Sequence, residues 1–208
     1  MKVNVYVDGF NLYYGCLKNT RYRWLDLNAL CHLMLPNDHI NKIKYYTAKI
    51  SARPHDPDQP VRQQTYLRAL QTLPNVEIIY GHFLTSIIRA RLAQTMPGLP
   101  ATVEVIKTEE KGSDVNLATH LLHDGHLNRF ETAVVVSNDS DLLEPIKIVI
   151  NELTLPVGVL CPYSKNPSRQ LLNNATFFKH IRPNQLAACQ FPLSLTDRNG
   201  TFTKPARW

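Results

Sequence analysis

One short apolar run constrains this chain more than any other feature. Residues 133–136 read Ala-Val-Val-Val, and the chain then changes abruptly to Ser-Asn-Asp-Ser-Asp over residues 137–141. A continuous apolar run is typical of a strand buried on both faces of a parallel sheet. Because open α/β sheets bind ligands at the carboxyl ends of such strands, residues 137–141 are expected at a ligand-binding edge.

The polar residues after this strand have two interpretations. A Ser, Asn or Asp at positions 137–139 can be the N-cap of a helix predicted over residues 142–151, where its oxygen accepts a hydrogen bond from a free amide. Such a cap explains one residue. It does not explain why Asp139 and Asp141 lie so close together, because like charges repel unless a cation or a phosphate-bound metal sits between them.

A second stretch near the N-terminus has the same design. Val3 to Val7 form a short apolar strand that ends in Asp8, and Gly9 and Asn11 follow at an expected turn and helix start. A third carboxylate, Asp114, lies on the first turn of another predicted helix. Helix first turns favour a carboxylate in any case, so Asp114 taken alone is ambiguous.

Length and composition limit the class of protein. With 208 residues, 44% of them hydrophobic, the chain suits a single domain with one good core. A net charge of +6 permits a polyanionic partner without proving one. The 4 cysteines include no C-x-x-C pair, so neither a zinc site nor a disulfide framework is indicated. No apolar run reaches the ~18 residues of a membrane span, so a soluble, cytoplasmic protein without a membrane partner is expected.

The rest of the chain alternates between strand and helix patterns. Strands are predicted at residues 42–50, 76–82 and 155–161, with a last extended piece at 175–181. Helices are predicted at residues 12–17, 26–35, 61–72, 114–123 and 168–173. In the helix over 61–72, Val61 is expected to point inward and Arg62 outward, and Gly125 is expected to cap the helix that begins near Asp114 in a left-handed conformation. Residues 83–108 are predicted to form a mobile excursion or a hairpin.

This alternation predicts a three-layer, Rossmann-like α/β domain with a mainly parallel central sheet. If the strands that carry Asp8 and Asp139 are neighbours, the two acids converge at one edge, and Asp114 can join them from its helix. Carboxylate oxygens at this density suit Mg²⁺ or Mn²⁺, hard ions that retain waters and also bind substrate phosphate.

Three blocks of sequence together resemble a known family. Residues 7–12 (Val-Asp-Gly-Phe-Asn-Leu), 111–117 (Lys-Gly-Ser-Asp-Val-Asn-Leu) and 136–142 (Val-Ser-Asn-Asp-Ser-Asp-Leu) resemble the signature blocks of the NYN domains, which are PIN-like metal-dependent ribonucleases. The chain is similar to their bacterial, LabA-like branch, including a Lys-Pro-x-x-Trp ending at residues 204–208. The resemblance covers residues 1–181, and residues 182–208 are expected to form an extended C-terminal tail packed on or near that domain.

The resemblance implies a PIN-like fold and hydrolysis of RNA by a metal-activated water, with single strands as the expected substrate. It also implies roles for the residues that match the signature blocks. The metal ligands are Asp8, Asp114 and Asp139, with Asp141 as a fourth acid of the site or a supporting partner. Water or phosphate is oriented by Asn11, Ser137 and Asn138.

Cations on loops that leave the same edge are expected to hold the RNA. The candidates are Arg53, Arg89, Arg91, Lys107 and Lys111, with Lys111 nearest the metal, whereas Arg62 is expected to be solvated. Glu109 and Glu110 are interpreted as loop surface. Assembly into a homodimer is left open.

Two other functions compete with the nuclease. The first is an RNA-binding or scaffold protein that retains the fold but cleaves little; its signature is a lost acid, and none of the three principal acids is missing. The second is another Mg²⁺-dependent phosphate chemistry, such as a phosphatase. A phosphatase usually has an Asp-x-Asp pair at a strand end, and Asp8-Gly-Phe-Asn11 does not supply one.

Overall fold

Ten strands are found in the structure, a computed structural model that describes residues 1–94 and 101–208. In chain order they are β1 (Lys2–Asp8), β2 (His39–Thr47), β3 (Val76–Tyr80), β4 (His82–Arg91), β5 (Thr102–Lys111), β6 (Thr132–Val136), β7 (Val157–Cys161), β8 (Phe177–His180), β9 (Ser194–Asp197) and β10 (Gly200–Thr203). Six of them form the central sheet, in the order β3-β2-β1-β6-β7-β8. All neighbouring pairs in this sheet are parallel.

Helices cover both faces of the sheet. They are α1 (Gly9–Leu12), which continues as a π-helical segment (Tyr13–Leu17), α2 (Leu27–Met34), α3 (Gln59–Leu70), α4 (Ser113–His126), α5 (Leu143–Asn151), α6 (Arg169–Asn174) and α7 (Pro183–Ala188). A 3-10 turn (Ser140–Leu142) leads into α5. The predicted three-layer α/β fold with a parallel central sheet is therefore confirmed.

The core has two halves because successive side chains of a strand point to opposite faces of the sheet. From β1, Val5 and Val7 join one buried cluster, which includes residues of α2, α3 and α7. Tyr6 joins the other cluster, which includes residues of α4, α5 and α6. Strands β6 and β7 are buried along their whole length, as the apolar run at 133–136 predicts.

The predicted excursion at 83–108 is a hairpin. Strands β4 and β5 pair antiparallel over ten residues each, and they form a separate two-stranded ribbon. The ribbon begins directly after β3 and returns directly into α4, so both of its ends lie at the carboxyl edge of the sheet. Residues 95–100, between the two strands, lie outside the described part of the chain.

Two local expectations are wrong. Gly125 continues α4 in helical conformation, and the left-handed residue is Asn128, with a φ of 53°. Position 125 is closely packed, since an added Cβ would lie 2.9 Å from Leu153 Cδ1 and the leucine side chain would have to move. On α3, Val61 is 61% exposed, whereas the side chain of Arg62 is only 11% exposed because it forms an ion pair with Asp56 in the preceding loop.

Residues 182–208, expected to form an extended tail, contain α7 and the antiparallel pair of β9 and β10. They return to α3, where Arg68 makes two hydrogen bonds to the carboxylate of Asp197, at 2.7 and 2.8 Å. The ring of Trp208 packs against Trp24 and Tyr66, at centroid distances of 6.4 and 5.8 Å. This segment therefore covers part of the core that α3 leaves open.

None of the helices in residues 1–94 and 101–208 combines the length and the apolar character needed to cross a membrane.

A buried polar cluster joins the sheet to α4 on the face away from the tail. Asp124, only 1% exposed, accepts hydrogen bonds from Lys44 Nζ at 2.6 Å, Tyr6 Oη at 2.8 Å and Arg129 Nη1 at 2.9 Å. These donors hold the pKa of Asp124 below its usual value, although burial alone acts in the opposite direction. The carboxylate is thus fully compensated, and its partners tie β1 and β2 to the end of α4.

We predict that Lys44→Met strongly destabilises the fold, because it leaves a buried carboxylate without its closest cation. The expected loss in the free energy of unfolding is about 3–5 kcal/mol, as for other broken buried pairs. Urea denaturation measures it. Lys42→Met is the matched control on the same strand, where the ammonium is exposed and lies 3.8 Å from Glu77; a loss of equal size in both variants would contradict the assignment.

Candidate functional site

Two adjacent parallel strands bring the first acid and the Ser-Asn-Asp segment together. Val7, the residue before Asp8, is paired with Val136, the residue before Ser137. The hydroxyl of Ser137 donates to Asp8 Oδ2 at 3.0 Å, and the Asn11 amide donates to Asp8 Oδ1 at 2.9 Å. Asp8 is therefore the N-cap of α1 and is also held by the neighbouring strand.

The segment after β6 is held in place by local hydrogen bonds. Ser137 Oγ accepts a bond from the amide of Asp139 at 3.1 Å, and Asp139 Oδ1 accepts one from the amide of Asp141 at 3.0 Å. Asp139 is thus the N-cap of the 3-10 turn at Ser140–Leu142, and not of α5 itself, which the simpler interpretation of the sequence proposed. It is also one of several acids gathered at this edge, which that interpretation does not explain.

The two asparagines connect loops in the structure. Asn11 Oδ1 accepts from the amide of Asn138 at 2.9 Å, which joins the start of α1 to the end of β6. Asn138 Oδ1 accepts from the amide of Ser168 at 2.7 Å, and its Nδ2 donates to the carbonyl of Asn166 at 3.2 Å. The side chain of Asn138 therefore fastens the loop before α6, while the direct orientation of water or phosphate by these residues stays a prediction.

The third acid, Asp114, lies in the first turn of α4. Glu110, which was interpreted as loop surface, fixes the start of this helix. Glu110 accepts bonds from the Ser113 hydroxyl at 2.6 Å and the Ser113 amide at 3.2 Å. Between them, Gly112 has a φ of 97°, a conformation that favours glycine and that turns the ribbon into the helix. The Glu-x-Gly-Ser pattern before a helix is the signal that could have identified Glu110 as its cap.

The acids of this edge influence one another. Burial, together with the charges of Asp114 and Asp139, raises the pKa of Asp8 to about 7, although the hydrogen bonds from Asn11 and Ser137 act in the opposite direction. Burial also raises the pKa of Asp114, with additional contributions from the charges of Asp139, Glu110 and Asp141. The five carboxylates Asp8, Glu110, Asp114, Asp139 and Asp141 therefore form one electrostatic cluster, which we call the acidic edge.

The chemistry of the acidic edge fits a hard divalent cation, because its donors are carboxylates whose mutual repulsion such a cation offsets. Its present arrangement is open: within residues 1–94 and 101–208, no three His, Cys, Asp or Glu side chains are already grouped as an ion site. Both oxygens of Asp8 are engaged by Ser137 and Asn11. The acids are thus close enough to perturb one another but are not arranged as a finished cage.

The predicted RNA-binding cations of the ribbon lie on two different faces. Residues directly opposite in an antiparallel pair share a face, and successive residues alternate. Arg89 and Arg91 therefore share the face of Phe83 and Glu110, which contacts the site: Phe83 packs on Phe10 at a centroid distance of 5.8 Å, and Glu110 caps α4. We call this the site face of the ribbon.

Lys107 and Lys111 belong to the opposite face of the ribbon. Both are ion-paired with Glu109, at 2.6 and 3.5 Å. Arg53 lies in the loop after β2, where its carbonyl accepts from the amide of Asp56 at 2.9 Å. The five cations predicted to hold the RNA as one group therefore lie in three places: two on the site face of the ribbon, two on its opposite face and one in the loop after β2.

Comparisons with known proteins agree with this architecture. A family model described as NYN domain matches residues 2–182. The curated 6-hydroxy-3-succinoylpyridine 3-monooxygenase HspA of Pseudomonas putida (strain DSM 28022 / S16) is 30% identical over an alignment of 236 residues that spans 100% of this chain and 75% of that protein. A crystal structure of VPA0982, a protein of unknown function from Vibrio parahaemolyticus RIMD 2210633, has the same fold, with a TM-score of 0.59, 18% identity and coverage of 91% of this chain and 96% of that one.

We predict that Asp8→Asn stabilises the metal-free protein at high pH and not at low pH. The folded pKa of Asp8, about 7, exceeds the unfolded value, so its protonated form favours folding. That contribution is complete below about pH 4 and is lost as the pH rises through 7. Asparagine remains neutral and is an equally good N-cap, so the variant avoids the loss, which amounts to up to about 4 kcal/mol at pH 8.

Urea denaturation in EDTA from pH 4 to 8 measures this difference. Asp58→Asn is the control, since Asp58 is exposed and its side chain makes no capping bond. Parallel stability curves for wild type and Asp8→Asn would show that Asp8 is not an unpaired buried acid.

Proposed function

This chain belongs to the NYN domain family, and on that premise we propose that it is a metal-dependent endoribonuclease acting on single-stranded RNA. The observation that carries the proposal is the acidic edge, where adjacent strand ends and one helix start gather carboxylates, and where no cation of the described residues contributes to the pKa of Asp8 or Asp114. A structural cluster would be compensated as Asp124 is, by Lys44 and Arg129. Uncompensated acids at the ligand-binding edge of an α/β sheet are typical of a functional site.

Asp8, Asp114 and Asp139 are the residues that would hold Mg²⁺ or Mn²⁺, with Asp141 beside them. When bound, such an ion lowers the pKa of a coordinated water and stabilises negative charge on a phosphate. Ser137 keeps Asp8 and the backbone of Asp139 in fixed relation through its hydroxyl. Asn11 fixes the start of the Ser-Asn-Asp loop through the Asn138 amide.

The RNA strand would approach along the site face of the ribbon. This face leads outward from Phe83 and Glu110 past an exposed pair, Ile87 and Ile106, to Arg89 and Arg91. Phosphates are attracted by the arginines and repelled by the acids, so the strand is expected to lie with bases or sugars toward the isoleucines and phosphates toward Arg89 and Arg91. Lys107 and Lys111 would then serve on the outer face or at the base of the ribbon.

A second candidate follows from the Pseudomonas relative, whose name describes oxygenation of a succinoylpyridine. The specific observation in its favour is an alignment at 30% identity that covers this whole chain. Incubation of the protein with 6-hydroxy-3-succinoylpyridine and a reduced nicotinamide cofactor, followed by chromatography of the products, tests it. A hydroxylated product together with intact RNA would favour this function over the nuclease.

We predict that Asp139→Asn loses both cleavage and metal binding. Cleavage of a mixed RNA pool in Mn²⁺ should fall by more than the roughly 10–100-fold that loss of a mere supporting partner causes. Mn²⁺ at about a hundred times its dissociation constant should raise the free energy of unfolding of wild type by about 2.7 kcal/mol, and that of the variant by much less. Gel-resolved cleavage and thermal melting measure the two effects.

Asp38→Asn is the control for this variant, because Asp38 lies before β2 at the opposite edge of the sheet and contacts only the terminal amine among the side-chain and terminal partners described. A wild type that binds RNA but shows neither cleavage nor stabilisation by Mn²⁺ would favour the RNA-binding scaffold instead.

We also predict that Arg89→Ala combined with Arg91→Ala weakens RNA binding and its salt dependence. For a single strand, each phosphate that the protein no longer neutralises lowers the slope of log affinity against log salt by about 0.7. Cleavage at saturating RNA should fall far less than in Asp139→Asn. Fluorescence anisotropy from 50 to 300 mM salt, roughly the range in which such slopes are resolved, measures the effect.

Lys147→Ala combined with Arg198→Ala is the control for this variant. It also removes two positive charges, one from α5 and one from the turn between β9 and β10. If the two double variants change affinity and slope equally, the ribbon is not the RNA path.

A further inference from the structure

A cavity of about 110 Å³ lies beside the acidic edge, on the face of the sheet that carries α3. Gly9 and Phe10, the two residues that follow Asp8, line it, and so does Tyr45 of the neighbouring strand β2. The phenol of Tyr45 lies against Gly9, directly after Asp8, since a Cβ added at Gly9 would lie 2.7 Å from the phenol oxygen. The volume resembles that of a ~150 Å³ cavity known to hold benzene, so it suits one six-membered ring.

Aromatic side chains from distant parts of the chain form the walls of the cavity. They are Phe10, Tyr13, Tyr14, Tyr45, Tyr66 and Trp208. Aromatic faces are the surfaces on which nucleic-acid bases stack, and every base offers such a face. A concave apolar pocket with a few polar groups is also the usual form of a specific ligand site.

One polar group in the wall lacks a partner. Asp56 lines the cavity; its side chain is 25% exposed overall, but its Oδ1 atom is covered and has no hydrogen-bond partner among the described residues. Its Oδ2 accepts from Arg62, and Oδ1 forms an ion pair with Arg207 Nη1 at 3.6 Å, beyond hydrogen-bonding distance. The hydrogen bond from Arg62 holds the pKa of Asp56 below its usual value, so the carboxylate is ionised and can only accept.

A buried acceptor without a donor requires an explanation, because most such groups are paired. Within an aromatic pocket of this size, the missing donor fits the N–H of a single-ring base. A carboxylate is the usual partner of the exocyclic amine of cytosine. Uracil presents an oxygen at the position of that amine and retains only its ring N–H as a donor, and a cavity of about 110 Å³ matches one ring better than the two rings of a purine.

We infer that this cavity binds a cytosine base of the RNA strand next to the phosphate at the acidic edge, with Asp56 Oδ1 accepting from the base amine. The placement of the phosphate rests on the proposed nuclease function. The affinity of the pocket for the base does not, so binding without metal tests the two separately. The pocket would give an otherwise general nuclease a preference for the nucleotide beside the cut.

Fluorescence anisotropy in EDTA tests the inference with labelled eight-nucleotide strands of cytidine, uridine or adenosine. The cytidine strand should bind about tenfold more tightly than the adenosine strand, within the range typical of stacking one base on aromatic side chains. Ile50→Phe, which places a larger side chain in the cavity wall, should remove the preference. Ile50→Val is its matched control and should keep it.

Asp56→Asn is the second variant and should reduce the preference for cytidine over uridine, with thermal melting used to confirm that it folds. Equal affinity of wild type for the three strands overturns the inference. A cytidine preference without cleavage supports the pocket and counts against the nuclease, whereas cleavage without any base preference does the reverse. If free cytidine stabilises the protein against heat as strongly as the cytidine strand does, the site takes a free ring and its assignment to the RNA strand is overturned.

Discussion

The register between β1 and β6 is the constraint on which the rest of the site depends. With Val7 opposite Val136, Asp8 and Ser137 leave the sheet side by side, and the buried Ser137 hydroxyl bridges Asp8 and the backbone of Asp139. Because side chains alternate along a strand, a slip of one residue would send the core residues of β1 to the wrong face. The packing of Val5 and Val7 on one side and of Tyr6 on the other therefore fixes the position of the acids.

Two buried carboxylates in this protein show how structure and function differ in their electrostatics. Asp124 and Asp8 are both almost inaccessible, but Asp124 has two cations and a phenol around it, whereas Asp8 has two neutral donors and further acids nearby. The pKa of the first is lowered and that of the second is raised to about 7. The same fold that compensates one buried acid so completely leaves the other without a counter-ion among the described residues, at the carboxyl edge of the sheet. The core on both faces of the sheet supplies the stability that this arrangement requires.

The sequence predicts most of the sheet because the relevant signals are local. Apolar runs before Asp8 and Ser137 define two strands, and parallel topology makes their ends meet. The errors concern contacts that the helical periodicity does not report: the side chain of Arg62 pairs with Asp56 in the preceding loop, and Gly125 packs against Leu153 beyond β6. Glu110 was missed because a pattern of charges does not reveal the positive φ of Gly112, and only the Glu-x-Gly-Ser pattern signals it. The part of the cavity wall that Trp208 forms beside Tyr66 could not be predicted either, because it depends on how residues 182–208 fold back onto α3.

The ribbon of β4 and β5 is anchored at the acidic edge. An isolated pair of strands is only marginally stable in water, so its orientation depends on its base. There, Phe83 packs on Phe10 directly after Asp8, and Glu110 caps the helix that carries Asp114. Any force on the ribbon is therefore transmitted to the two elements that position these acids. Since the charge of Glu110 also contributes to the raised pKa of Asp114, the position of the ribbon base affects the electrostatics of the acidic edge.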